Sequence, residues 1–347
     1  MKIIIKRVKE ITLFFFIIVI FIIIFTNSSS VKTAAKEGML LCSDVIIPVL
    51  FPFLVLSLII SKCGIFEAIP FPAKYRFYLT YINIFLLSNL GGYPIGAKLL
   101  SGAVESGKIS ENDARLMLFC CINAGPAFTV LAVGGGILDS LQLGALIYIS
   151  QFLASLTIFI IISNKLEKRR KIPKNNESLI DAFVSSVADA SISMLNMSGF
   201  IIISSIALGL FKSLNLSEPV KKVIFLTLEI SNSILHTKNI YVLCFVLGFS
   251  SISIILQIIF FTKSFKPNNF SIIVSRIIVG LLSTIYTLML IKIFHISIET
   301  VGNITSKIII NNNNSLILSL LLILTCIAFL YSLSNKKYCG KFSADIF

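Results

Sequence analysis

The residues of this chain that could do chemistry are few, polar and set inside apolar runs. In the first half they are Ser88, Asn89, Gly91, Gly92, Tyr93 and Pro94, followed by Asn123, Gly125 and Pro126. Glycine and proline at such positions interrupt a helix. The break frees backbone amides and carbonyls to hold a polar solute, and the Ser and Asn side chains add donors and acceptors. In the second half the candidates are Glu229, Ser231, Ser250, Gln257 and Arg276. A charge at mid-bilayer costs about 2.5 to 3.5 kcal/mol on insertion scales, so Glu229 and Arg276 are marked by their expense. Glu229 has no charged neighbour within five positions.

The chemistry these types allow is recognition, not bond-making. Facing a cavity, the planar guanidinium of Arg276 would pair with a carboxylate of an anionic solute or with Glu229. Six residues into its apolar run, it could equally snorkel to the membrane face. Lys98 offers a second cation in the first half, or simply a solvated loop charge, and Lys292 and His295 read as interface anchors. Each Gly/Pro break also has a plainer reading, a kink with small residues for close helix packing. Two breaks in one half, with counterparts in the other, favour a site. Walker A, HExxH, GxSxG and GxGxxG patterns are all missing from the sequence, which argues against an enzyme. The seven cysteines show neither a CxxC spacing nor a cluster with His236 or His295, so no metal or other cofactor is expected.

The elements that must position these residues follow from composition. Of 347 residues, 56% are hydrophobic and 13% charged, and the mean hydropathy is +0.96. A soluble enzyme of that composition would have too little polar surface to cover its core. Lipid is the fitting solvent, and the expected fold is an all-α multipass membrane protein of about eight full spans. The net charge of +14 falls in short clusters beside apolar runs, which is the pattern of cytoplasmic loops and not of a nucleic-acid surface.

Along the chain, Ile11 to Phe25 reads as an uncleaved first span or, alternatively, a signal peptide. Spans are expected at 39–60, 116–137 and 141–162, with a short apolar piece from Phe77 running into GGYPIGAK, Gly91 to Lys98. KLEKRRKIPK, Lys165 to Lys174, is the strongest cytoplasmic marker. Beyond it lie an amphipathic stretch at Ser178 to Ser198, a span at Gly199 to Phe211 and a short piece at Val223 to Leu235. Further spans are read at 240–261, 270–294 and 308–333. With both the N-terminus and the basic loop cytoplasmic, the crossings between them must be even in number. The GGYP segment must then return to its own side as a re-entrant hairpin. Ala124 precedes Gln151 by 27 positions and Ser250 precedes Arg276 by 26, so the second half repeats the order of the first. Parity puts the two hairpins on opposite sides, making an inverted repeat, the plan of secondary transporters. The divisions are 1–38 for an N-terminal anchor and linker, 39–163 for repeat 1, 164–177 for the basic loop, 178–295 for repeat 2, and 296–347 for a last span and cytoplasmic tail.

NLGGYPIGAKLLSGAVESGKIS, INAGPAFTVLAVGGGIL, LEIS, GFSSISIILQ and the pair Ser275–Arg276 together resemble the sporulation integral membrane proteins of the YlbJ type, or SpoVV family. That family carries the nucleoside-recognition, or Gate, domain and is related to concentrative nucleoside transporters. The resemblance spans roughly 40–295, and the second half departs from it at Asn232 and Ser233, where a glycine would be expected. It implies a protein of the mother-cell-derived membrane around the forespore that moves dipicolinic acid towards the spore; the basic residues at both ends, with Lys336, Lys337 and Lys341 in the tail, read as cytoplasmic termini. The implied partners are that small anionic solute, the lipid bilayer, and a second copy of the chain or other sporulation membrane proteins. A nucleoside-type permease and a non-transporting scaffold for spore assembly remain open alternatives.

Overall fold

Long apolar runs in lipid can satisfy their backbone within one segment only as helices. Every regular element is helical among the residues that the computed structural model describes, namely 2–64, 78–167, 177–212, 217–230, 237 and 239–294. Ser231, His236, His295, most of the basic loop and the expected span at 308–333 lie outside the described residues.

The chain opens with α1 (Lys2–Thr26) and α2 (Ser28–Leu41), then a π-helical turn at Cys42–Ile46 and α3 (Ile47–Cys63). The sequence suggests an interruption at Pro48 and Pro52, yet Ser28–Cys63 runs as one helical rod. The π turn immediately before Pro48 widens the hydrogen-bond ladder where proline withholds its N–H. Next come α4 (Tyr78–Gly91), α5 (Tyr93–Glu105) and the short α6 (Glu111–Met117), which is N-capped by Ser110. The stretch read as a span at 116–137 is not a continuous helix. Residues 118–125 are irregular, and Ala127–Gly135 is π-helical before α7 (Leu141–Ser163).

In the second half, the amphipathic stretch and the span that follows it are one helix, α8 (Leu179–Lys212). Its serines do not break it because they return their hydroxyls to carbonyls one turn back, as in Ser193 to Asp189 (2.6 Å) and Ser204 to Phe200 (2.8 Å). Then follow α9 (Glu218–Leu228), α10 (Ile240–Phe249), α11 (Ile252–Phe261) and α12 (Asn269–Ile293). Asn239, Ser251 and Asn268 cap the last three. Five helical segments among the described residues are long and apolar enough to cross a membrane: Ser28–Cys63, Leu141–Ser163, Leu179–Lys212, Ile240–Phe261 and Asn269–Ile293. The protein is thus all-α, with the helices of a membrane protein.

Small residues bring the helices together. A Cβ on Gly209 of α8 would lie 2.5 Å from the Ala34 Cβ of α2, and one on Gly38 would meet Ser205 at 2.9 Å. These are paired small residues four apart, the usual seam where lipid supplies no hydrophobic drive for helix association. Polar contacts collect at one end of the bundle. Tyr81 donates to Asp113 (2.7 Å) and to the Glu167 carbonyl (3.2 Å). The Ser101 and Ser264 hydroxyls lie 2.6 Å apart, and the Arg115 side chain donates to the Phe265 carbonyl at 2.8 Å. The start of α4, the end of α5 and the turn after α7 therefore share this end.

Candidate functional site

The first break is a reversal of the chain. Gly92 stands between α4 and α5 at φ 101° and ψ 179°, a backbone region open essentially to glycine alone. Its N–H still bonds the Ser88 carbonyl (3.0 Å), and its own carbonyl accepts from Ile95 N (3.1 Å) before α5 resumes with Tyr93 and Pro94. A Cβ on Gly96 would lie 2.9 Å from that of Ser88, so positions eight apart face each other and the two helices fold back as a hairpin. The same added Cβ would lie 1.7 Å from the carbonyl oxygen of Cys121. Gly96, not among the candidates read from the sequence, is what lets the irregular segment reach the hairpin.

That segment presses its backbone onto the hairpin tip. A Cβ on Gly125 would meet the Leu90 carbonyl oxygen at 3.0 Å and the Gly92 nitrogen at 3.2 Å. Side chains fix the register. Asn123 donates to Asn89 Oδ1 at 2.6 Å and also to Ser155 Oγ of α7, while Asn89 donates to the Phe85 carbonyl at 2.8 Å. Ser88 likewise bonds the Phe85 carbonyl. Pro126 and Ala127 begin the π-helical stretch, and the Gly125 carbonyl accepts from the Thr129 hydroxyl at 3.0 Å.

The second half contributes two further breaks. α9 stops at Glu229, which is extended (φ −140°, ψ 122°) and 2% exposed. α10 and α11 part at Ser250, which holds φ 60° and ψ −179° although it is not glycine. The halves then brace one another. Tyr93 of the hairpin donates to the Leu247 carbonyl just before the Ser250 break, at 2.6 Å. In return, fully buried Arg276 of α12 donates to the Phe119 carbonyl (2.8 Å) and the Ile122 carbonyl, within the irregular segment. Its Nε turns to Ser275 Oγ at 3.3 Å. Carbonyls freed by a helix break must find donors in a dry interior, and here they come from the other half.

Three of the breaks, at Gly92, Gly125 and Glu229, meet around a central cavity of about 40 Å³, room for a few water molecules. Of the residues expected from the sequence, Gly92, Tyr93, Pro94, Gly125, Glu229 and Gln257 line it. Ile46, Leu50, Phe128, Met197, Ile201, Ile230 and Ile254 supply the apolar walls. Ser88, Asn89, Gly91, Asn123, Pro126, Ser250 and Arg276 are not on its lining; most of them hold the backbone behind it. From the expected set, Glu229 is therefore the carboxyl on the cavity wall, with Tyr93 also lining it, while Arg276 faces carbonyls. Gln151 of α7, one turn before Ser155, is fully buried with neither amide atom hydrogen-bonded. Among the described residues no cluster of three or more His, Cys, Asp or Glu is arranged to hold a metal ion. The chain matches no protein-family model, no curated protein and no solved structure.

Proposed function

We propose that the protein is a membrane transporter that passes a small polar solute through the cavity between its two halves. The observation that carries this reading is the convergence of Gly92, Gly125 and Glu229, three helix breaks drawn from both halves, on one cavity. Interrupted helices meeting at mid-depth are how secondary transporters expose backbone groups to a solute. The inverted repeat belongs to this proposal. At about 1.5 Å per residue, α4 and α5 are each near 20 Å long, short of a bilayer core of about 30 Å, so their hairpin enters and leaves on one side. That side carries the basic loop, which makes it cytoplasmic by charge. Glu229 ends a short helix that follows α8 and so stands where a second hairpin would reach inward from the opposite side. The finer plan of about eight spans with cytoplasmic termini goes with this arrangement.

By resemblance the solute is dipicolinate and the membrane is the one around the forespore. A second reading, a nucleoside-type permease, is favoured by the lining itself. The cavity presents Glu229, Gln257 and the Tyr93 ring, a set suited to a hydrogen-bonding solute, with the guanidinium of Arg276 turned away. Flux into vesicles containing only this protein separates the two. Uptake of dipicolinate by folded protein supports the first reading. Uptake of a nucleoside and not of dipicolinate supports the second. No flux of either solute by folded protein overturns transport and leaves a scaffold.

A further inference from the structure

The turn between α11 and α12 holds two exposed lysines, Lys263 and Lys266. At this end of the bundle two other basic side chains meet carboxylates, Lys62 with Asp189 at 2.8 Å and Arg115 with Glu111 at 2.7 Å. Lys263 and Lys266 are exposed, and neither has a carboxylate partner among the described residues. The Lys263 ammonium lies over the Phe260 ring, 4.3 Å from its centroid, which keeps the charge at the boundary between apolar wall and water.

Beside them runs an open groove of about 420 Å³, some ten times the central cavity. Its walls are Phe200 of α8 and Leu256, Ile259 and Phe260 of α11, with Lys263 and Lys266 at its mouth. Leu256 is 44% exposed, so the groove opens sideways, where lipid lies if the chain spans a membrane. An apolar trough ending in two cations matches one molecule in its entirety, an acyl chain ending in a phosphate.

We propose that this groove binds an anionic phospholipid, with an acyl chain against Phe200, Leu256 and Ile259 and the headgroup phosphate between Lys263 and Lys266. The Arg115 bond to the Phe265 carbonyl ties this turn to the end of the bundle that carries the 165–167 turn. The leaflet concerned is thus the one beside the basic loop, where anionic lipid attracts such lysines. The opposite face of α11 gives Ile254 and Gln257 to the central cavity, so a lipid in the groove would steady a half-helix of the transport site. The proposal rests on the chain lying in a membrane and does not require transport.

The test uses the full chain in detergent, with bound lipid counted by native mass spectrometry and thermal unfolding followed in parallel. Phosphatidylglycerol, phosphatidylcholine and inorganic phosphate are added separately. Phosphatidylglycerol should bind and stabilise, phosphatidylcholine should bind far more weakly, and inorganic phosphate should do neither. Lys263→Gln combined with Lys266→Gln should weaken phosphatidylglycerol roughly thirtyfold, about what two basic side chains contribute at a membrane surface. Leu256→Trp, which fills the trough and leaves both charges, should also displace it. Equal retention of the two lipids, or an unchanged affinity in the double variant, would overturn the site. Stabilisation by phosphate alone equal to that by phosphatidylglycerol would reassign it to a free anion.

Discussion

The two halves of the molecule break their helices by different means. In the first half the break is made of backbone: Gly92 takes a conformation that costs glycine little, and Gly125 and Gly96 remove the side chains that would hold the strands of chain apart. In the second half the break positions themselves carry side chains, although Gly248 of α10 packs closely on Gly280 of α12 beside one of them. Glu229 ends α9 and fills its place with a carboxyl, and Ser250 holds a glycine-like backbone with a serine. A tip packed backbone against backbone has one fit and little freedom. A tip held by side chains and strain has alternatives, so the second half is the better candidate for the part that moves.

If that contrast is sound, the largest effect belongs to the first half. Gly96→Ala drives a Cβ to within 1.7 Å of the Cys121 carbonyl oxygen, a backbone atom that cannot turn aside. The hairpin would have to separate from the irregular segment, dismantling the Asn89–Asn123–Ser155 connection with it. Little or no folded protein should be recovered, measured as the monodisperse fraction after detergent extraction. Normal recovery with an unchanged melting temperature would show that the first half is not close-packed as described.

The next effect sharpens the role of the braces between the halves. Arg276→Met removes the donors to the Phe119 and Ile122 carbonyls and leaves both unsatisfied in a dry interior. At about 1 to 3 kcal/mol for each of the two orphaned groups, the loss is roughly 2 to 6 kcal/mol, seen as a large drop in melting temperature. A brace predicts that whatever flux survives falls alike for anionic and neutral solutes. Selective loss of an anionic solute from a variant of normal stability would instead put the guanidinium in the solute's path.

What the sequence could say about this site divides along the same line. GGYP and NAGP are legible because Gly and Pro interrupt helices wherever they occur, and Glu229 is legible because a lone carboxyl is costly among apolar residues. The partners of Arg276 are not, because a main-chain carbonyl has no signature in the residue that carries it. Gly96 lay in plain view within GGYPIGAK, but its importance depends on a carbonyl 25 positions away. The merging of Ser178–Phe211 into one helix was obscured by serines, whose hydroxyls can either cap a helix or be absorbed by it. The two prolines of α3 mislead in the opposite sense: the π turn before Pro48 carries the first, and Pro52 sits inside α3 without ending the rod.

The smallest effect has the sign that tests the contrast most directly. Ser250 holds φ 60° and ψ −179°, a region nearly closed to any residue with a Cβ, at a cost of about 1 to 3 kcal/mol. Ser250→Gly relieves that strain but adds unfolded-state freedom worth about 0.5 to 1 kcal/mol and removes the hydroxyl bond to the Phe249 carbonyl. The balance is a gain of about 1 kcal/mol or less, a rise of a few degrees in melting temperature. Gly92→Ser, the reverse exchange at the other tip, should destabilise, because it adds the strain and also places a Cβ 3.3 Å from the Gly125 nitrogen. Opposite signs for the two exchanges would establish that one half stores strain where the other does not. If stored strain helps the second half to move, Ser250→Gly should also slow flux as it raises stability. A variant both more stable and equally fast would confine that strain to the resting fold.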